Sequence, residues 1–152
     1  MDIKITEEVE NLLKDNGLKK EEVMEIIDNA EASGHKLKAK EGDICIAKGV
    51  AENLTVYAVY NPSELVNVYT HKMSVLGVTG GEMKELEYDT TSDWTCVKCS
   101  EDAQERNVDM SYLDVTRPGP GIVCPNCGDV YVSEGVAHTL KTAESILEEK
   151  RA

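Results

Sequence analysis

Two short stretches decide how this 152-residue chain is read: Cys96-Val97-Lys98-Cys99 and Cys124-Pro125-Asn126-Cys127-Gly128, with twenty-four residues between them. Two residues between cysteines let both thiolates of a tight turn face one point. Two such turns supply four sulfurs to a single tetrahedral cation site. Gly128 suits the second turn because glycine takes positive φ without steric penalty, and Pro125 stiffens it. The spacing therefore predicts one metal site, with Cys96, Cys99, Cys124 and Cys127 as ligands. The fifth cysteine, Cys45, lies between Ile44 and Ile46 and is expected as a buried, inert thiol in a strand.

Other uses of a C-x-x-C pair fit less well. A redox pair opens a helix in a thioredoxin-like βαβ setting, which neither pair has. Ferredoxin-type cluster ligation takes four cysteines at closer spacing.

Around these turns, residues 94–132 resemble the zinc-ribbon and rubredoxin group, in which two cysteine knuckles on short hairpins hold zinc or iron. The resemblance covers about forty residues and implies a metal site, not an activity. The second knuckle has the form both subgroups use. The first departs from rubredoxin, where Gly and an aromatic usually follow the cysteines, because Ser100-Glu101-Asp102 follows here. The aromatics available for a rubredoxin-like core are Trp94, Tyr112 and Tyr131. Both departures favour structural Zn2+, with Fe the alternative.

After Val130-Tyr131-Val132, Ser133 is placed to cap a helix whose apolar stripe is Val136, Leu140, Ala143 and Leu147. A knuckle, a short strand and an acidic terminal helix are together similar to small uncharacterised ribbon proteins of anaerobic bacteria. That similarity implies an accessory role beside a larger enzyme.

Upstream, residues 7–32 carry helical periodicity in two pieces. Val9, Leu12 and Leu13 precede a break at Asn16-Gly17; Val23, Ile26, Ile27 and Ala30 form the second face, closed by Ser33-Gly34. From Asp43 the period changes to that of strands. Ile44–Ala47, Leu54–Tyr60 and Leu65–Val75 read as a three-stranded antiparallel meander, turning at 49–53 and at Asn61-Pro62-Ser63-Glu64. With Tyr60 facing Leu65, the expected register sets Tyr57 against Val68 and Val56 against Tyr69, and places Tyr69 and His71 beside Leu54 and Val56. Gly77, Gly80 and Gly81 followed by Glu82, Glu85, Glu87 and Asp89 read as a linker. The run lacks the Lys-Ser/Thr ending of a phosphate loop.

The net charge of −13 is shared, with residues 1–90 carrying 10 Lys and Arg against 18 Asp and Glu (−8) and residues 91–152 carrying 6 against 11 (−5). Lys98, Arg106 and Arg117 are the only Lys or Arg between residues 91 and 140. Phosphate backbones are bound by Lys and Arg with counterion release, so both halves are poorly suited to nucleic acid. An anionic membrane surface repels them as well. Paired C-x-x-C thiols, with no apolar leader at Met1–Thr6, lead to a cytoplasmic expectation. The remaining polar candidates are weaker. His35 and His138 are expected at the surface. The His71 and Tyr69 pair comes with no second base or nucleophile, and Glu7-Glu8, Glu21-Glu22 and Glu148-Glu149 read as solvated helix faces.

The expected architecture is α+β: residues 1–78 as a helical hairpin with an antiparallel meander, 79–93 as an acidic linker, and 94–152 as a zinc ribbon with a C-terminal helix. No catalytic constellation is recognised. The expected role is that of a non-catalytic accessory or protein-interaction protein, with a larger redox enzyme among its candidate partners. A rubredoxin-like electron carrier with iron in the same site is the first alternative, and a nucleic-acid-binding zinc ribbon the second.

Overall fold

The helical hairpin expected near the start of the chain is present in the computed structural model, which describes residues 3–80 and 90–151. Helix α1 spans Glu7–Asp15, and Thr6 Oγ1 caps it by accepting from the Val9 amide at 3.4 Å. Asn16 and Gly17 end α1. Helix α2 spans Lys20–Ser33 and stops at Gly34, which sits at φ +80° and donates its N–H to the Ala30 carbonyl at 2.8 Å. Val9, Leu13, Val23, Ile26, Ile27 and Ala30 are buried, the faces their spacing marked.

Among the described residues nine strands follow, all joined in one sheet. They are β1 (Lys36–Ala39), β2 (Cys45–Ala51), β3 (Leu54–Tyr60), β4 (Leu65–His71), β5 (Ser74–Val78), β6 (Thr91–Cys96), β7 (Glu101–Tyr112), β8 (Val115–Val123) and β9 (Val130–Tyr131), before helix α3 (Glu134–Arg151). The order is β4-β3-β2-β1-β6-β7-β8-β9, and every ladder is antiparallel. Strands β6 and β5 share one edge of β7, at residues 101–104 and 108–111.

The β2-β3-β4 meander forms, but its last ladder differs from the expected register. Tyr60 does face Leu65; a bulge then sets Val59 against Asn67, Tyr57 against Tyr69 and Val56 against Thr70. His71 consequently faces Thr55, and neither it nor Tyr69 lies beside Leu54 and Val56 as expected. The cause is packing. Leu65 and Val68 are three residues apart, and both enter the cluster under α1 and α2, which an unbroken period of two forbids. The return strand is also shorter than Leu65–Val75. It ends at His71, and β5 leaves to pair with β7.

Residues alternate between two apolar layers. Cys45, Ala47, Val56, Ala58, Leu65 and Val68 pack with α1 and α2. Ile46, Tyr57 and Tyr69 join β7–β9 and α3 on the other face. Helix α2 approaches β2 so closely that a Cβ at Gly49 would stand 2.5 Å from Ile26 Cγ1. A side chain there would force Ile26 to shift.

Ladders cross the segment expected as a linker: β1 pairs with β6, placing Leu37 opposite Cys96, and β5 pairs with β7. Within that segment, Thr91–Asp93 open β6, while residues 81–89, and with them Gly81 and the acids Glu82, Glu85, Glu87 and Asp89, lie outside the described residues. The stretch between the cysteine pairs is occupied by the β7–β8 hairpin, turning at Leu113 and Asp114 with φ of +48° and +66°. Two successive positive φ values define the hairpin turn that usually carries Asn-Gly. Among the described residues, no helix is long and apolar enough to cross a membrane.

Candidate metal centre

The two cysteine turns occupy equivalent places in the ladder. Cys96-Cys99 joins β6 to β7, and Cys124-Cys127 joins β8 to β9. In the second turn the Gly128 amide donates to the Cys124 carbonyl at 2.9 Å, and the Cys124 amide donates to the Asp129 carbonyl at 3.0 Å. Gly128 holds φ +78°, the conformation for which glycine was expected. The Cys127 amide donates to Cys124 Sγ at 3.5 Å, an N–H···S contact that stabilises thiolate character. The first turn closes through Ser100, at φ +54°.

All four sulfurs lie within 4.8 Å of one another, and Cys96 Sγ and Cys127 Sγ are 3.9 Å apart. Bonds of about 2.3 Å in a tetrahedron separate ligand sulfurs by about 3.8 Å, so the donor set fits one four-coordinate thiophilic ion. Cys96 and Cys124 are buried, Cys99 is half-buried and Cys127 is exposed. As a thiol, Cys96 is pushed up to about 12 by burial, and burial also raises Cys127. The Asn126 side chain, by hydrogen bonding, lowers Cys99. A cation bound by the four sulfurs would hold them as thiolates, its charge outweighing the desolvation that raises Cys96 and Cys127. Cys45 takes no part. It is buried on β2, its thiol raised by burial.

Side chains remote in sequence brace the centre. His35 Nδ1 meets Asp129 Oδ2 at 3.0 Å, and Lys98 Nζ meets His35 Nε2 at 2.9 Å, so the end of α2 clasps both cysteine turns. His35 lies just past the end of α2 with its side chain 42% exposed, and on that surface it makes both contacts. Lys48 on β2 donates to the Val130 carbonyl at 2.6 Å and lies 4.9 Å from the Tyr131 ring centroid. Burial lowers the Lys48 pKa. Neither contact left a mark in the sequence, because each partner lies more than sixty residues away.

Behind the centre is an aromatic layer. Tyr57 stacks on Tyr69 at 4.9 Å between centroids and tilts against Tyr131 at 6.4 Å. The Tyr57 hydroxyl meets His71 Nε2 at 2.9 Å, while the Tyr69 hydroxyl donates to the Val132 carbonyl at 2.7 Å. The His71 partner is thus Tyr57, across the strand, and Tyr69 serves the backbone. Burial depresses His71 from 6.5 to about 4; the Met73 backbone opposes this only in part, without a well-formed hydrogen bond to Nδ1. His138 is exposed on α3. Glu144, one turn beyond Leu140, was unmarked in the sequence. It is 3% exposed and accepts from the Lys72 and Met73 amides at 2.8 Å each, pinning α3 to the end of β4.

Residues 92–150 match the family model of a domain of unknown function, DUF7479, a span that takes in both cysteine turns, β7, β8, β9 and most of α3. Comparison with curated proteins and with solved structures returns no match.

Proposed function

We propose that this chain is a non-catalytic interaction protein whose four-cysteine centre holds one structural zinc ion. The observation that carries the reading is the closed donor set: four sulfurs within 4.8 Å, drawn from two turns of one sheet. Zinc bound by Cys96, Cys99, Cys124 and Cys127 supplies a crosslink. With no fifth protein-free position for water, such a site is disfavoured for hydrolysis. Near the centre, buried Tyr57 and His71 pair with one another through the Tyr57 hydroxyl and His71 Nε2 at 2.9 Å.

The acidic charge of both halves supports a protein partner carrying basic groups, steered in at low ionic strength. The test pairs capture of partners from host lysate across a salt series with titration of mixed DNA and RNA. A captured protein released by salt supports the reading. Submicromolar, salt-sensitive nucleic-acid binding with no captured protein overturns it, as does turnover by the isolated chain.

One observation favours a second reading. Cys127 is exposed and Cys99 half-buried, which puts part of the centre at the surface. Iron in the same four sulfurs exchanges one electron, and an exposed sulfur edge suits contact with a redox partner. A visible, bleachable absorption in protein purified without oxygen supports that reading over zinc.

A further inference from the structure

Helix α3 does not close fully against the β7–β8 hairpin. Between them lies a cleft of about 690 Å³ whose walls include Met73, Met110, Val136, Leu140, Ala143 and Leu147. Its floor is the hairpin itself. A Cβ at Gly119 would come within 2.8 Å of Met110 Sδ, so glycine lets the thioether lie across the strand. Arg117 stands directly opposite Met110 in the ladder and is the one charged side chain among the described residues that line the cleft. It is exposed, and its Nη1 donates to the Thr116 carbonyl at 2.9 Å.

We propose that this cleft binds a small amphiphile, an aliphatic chain ending in a carboxylate. Four features select that class. The volume falls in the range of small-molecule sites, about 300–1,000 Å³, and the walls are apolar as such sites are. Two methionines in the lining supply adaptable side chains for a flexible hydrocarbon. A single cation opposite Met110 marks where an anionic head is held, in a chain whose net charge of −13 otherwise repels anions. A peptide strand is the poorer occupant, because β8 carries Pro118 and Pro120, which have no N–H to offer an added strand.

The test uses the metal-replete full chain with octanoate and 1-octanol as probes, read by calorimetry and by the methyl resonances of Met73 and Met110. Octanoate is expected to saturate with a dissociation constant on the order of 100 μM. Replacing it by 1-octanol, or changing Arg117→Gln, weakens binding roughly fivefold or more. Ala143→Trp, which fills the cleft, abolishes it. Arg117 is exposed, so Arg117→Gln keeps the fold even if Ala143→Trp does not. No saturable octanoate binding overturns the proposal. So does equal affinity for both probes that Arg117→Gln leaves unchanged. Concentration-dependent self-association that octanoate does not reverse also overturns it, since a second copy would then fill the cleft.

Discussion

Leu37 on β1 stands directly opposite Cys96 on β6, so a strand from before the glycine- and acid-rich segment borders a candidate metal ligand. The neighbouring contact agrees: the Val97 amide donates to the Lys36 carbonyl at 3.1 Å. Whatever orders the cysteine turns is therefore coupled through the ladder to β1.

The first prediction follows from that coupling. Structural zinc contributes on the order of 10 kcal/mol to folding of small four-cysteine units at neutral pH. Cys124→Ser is expected to strip amide protection from residues 94–132 and from Lys36–Ala39 together, while α1, α2 and Leu54–Tyr60 keep theirs. Hydrogen exchange resolved by residue checks it. Lys36–Ala39 remaining as protected as Leu54–Tyr60 would contradict the coupling.

The second concerns His71, wholly buried with its folded pKa depressed from 6.5 to about 4. Between those values the unfolded chain binds the proton and the folded chain does not. Stability is therefore full above about pH 6.5, falls as pH drops toward 4, and loses no more to this group below that. From pH 7 to pH 5 the loss is about 2 kcal/mol. Urea unfolding of wild type and His71→Gln at both pH values isolates the term, since acid-driven loss of metal is common to both. The variant should show the smaller pH dependence, and equal slopes would refute the assignment.

The third concerns Glu144. Its carboxylate accepts two backbone amides at the end of β4, and removing it leaves the buried Met73 donor and the half-buried Lys72 donor without that partner. Glu144→Ala is expected to cost about 2–4 kcal/mol in denaturant unfolding. A change below about 0.5 kcal/mol would mean that water replaces the carboxylate at no loss.

The fourth concerns Gly49. A methyl there would overlap Ile26 Cγ1, so Gly49→Ala should cost about 1–3 kcal/mol. In the Ile26→Ala background the same change should cost much less, and a double-mutant cycle measures the difference. Strict additivity would show that the two positions do not contact.

Some of this was legible in the sequence. Both N-terminal helices, the Asn16-Gly17 break, the Gly34 stop and the capped α3 were readable because caps and apolar periods are local signals. The cysteine cluster was readable because two repeated spacings meet at one point. The β7–β8 hairpin was not. Its turn uses Leu113-Asp114 in place of Asn-Gly, and Glu105, Arg106 and Asn107 interrupt the alternation of β7. Strand β1 escaped as well, being four residues of which three are Lys or Ala. The register past Tyr60 depended on a bulge, which only the demand to bury both Leu65 and Val68 creates. The His35, Lys98 and Asp129 clasp joins residues 63 and 94 positions apart, with no periodicity to announce it.

One structural zinc ion held by Cys96, Cys99, Cys124 and Cys127 is the proposal on which the rest depends. The most direct measurement is elemental analysis of the chain purified without oxygen or chelator, with its visible spectrum recorded on the same sample. One zinc per chain and no visible absorption are expected. Stoichiometric iron with a bleachable visible band, two or more tightly held ions, or no metal after zinc-replete preparation would contradict it.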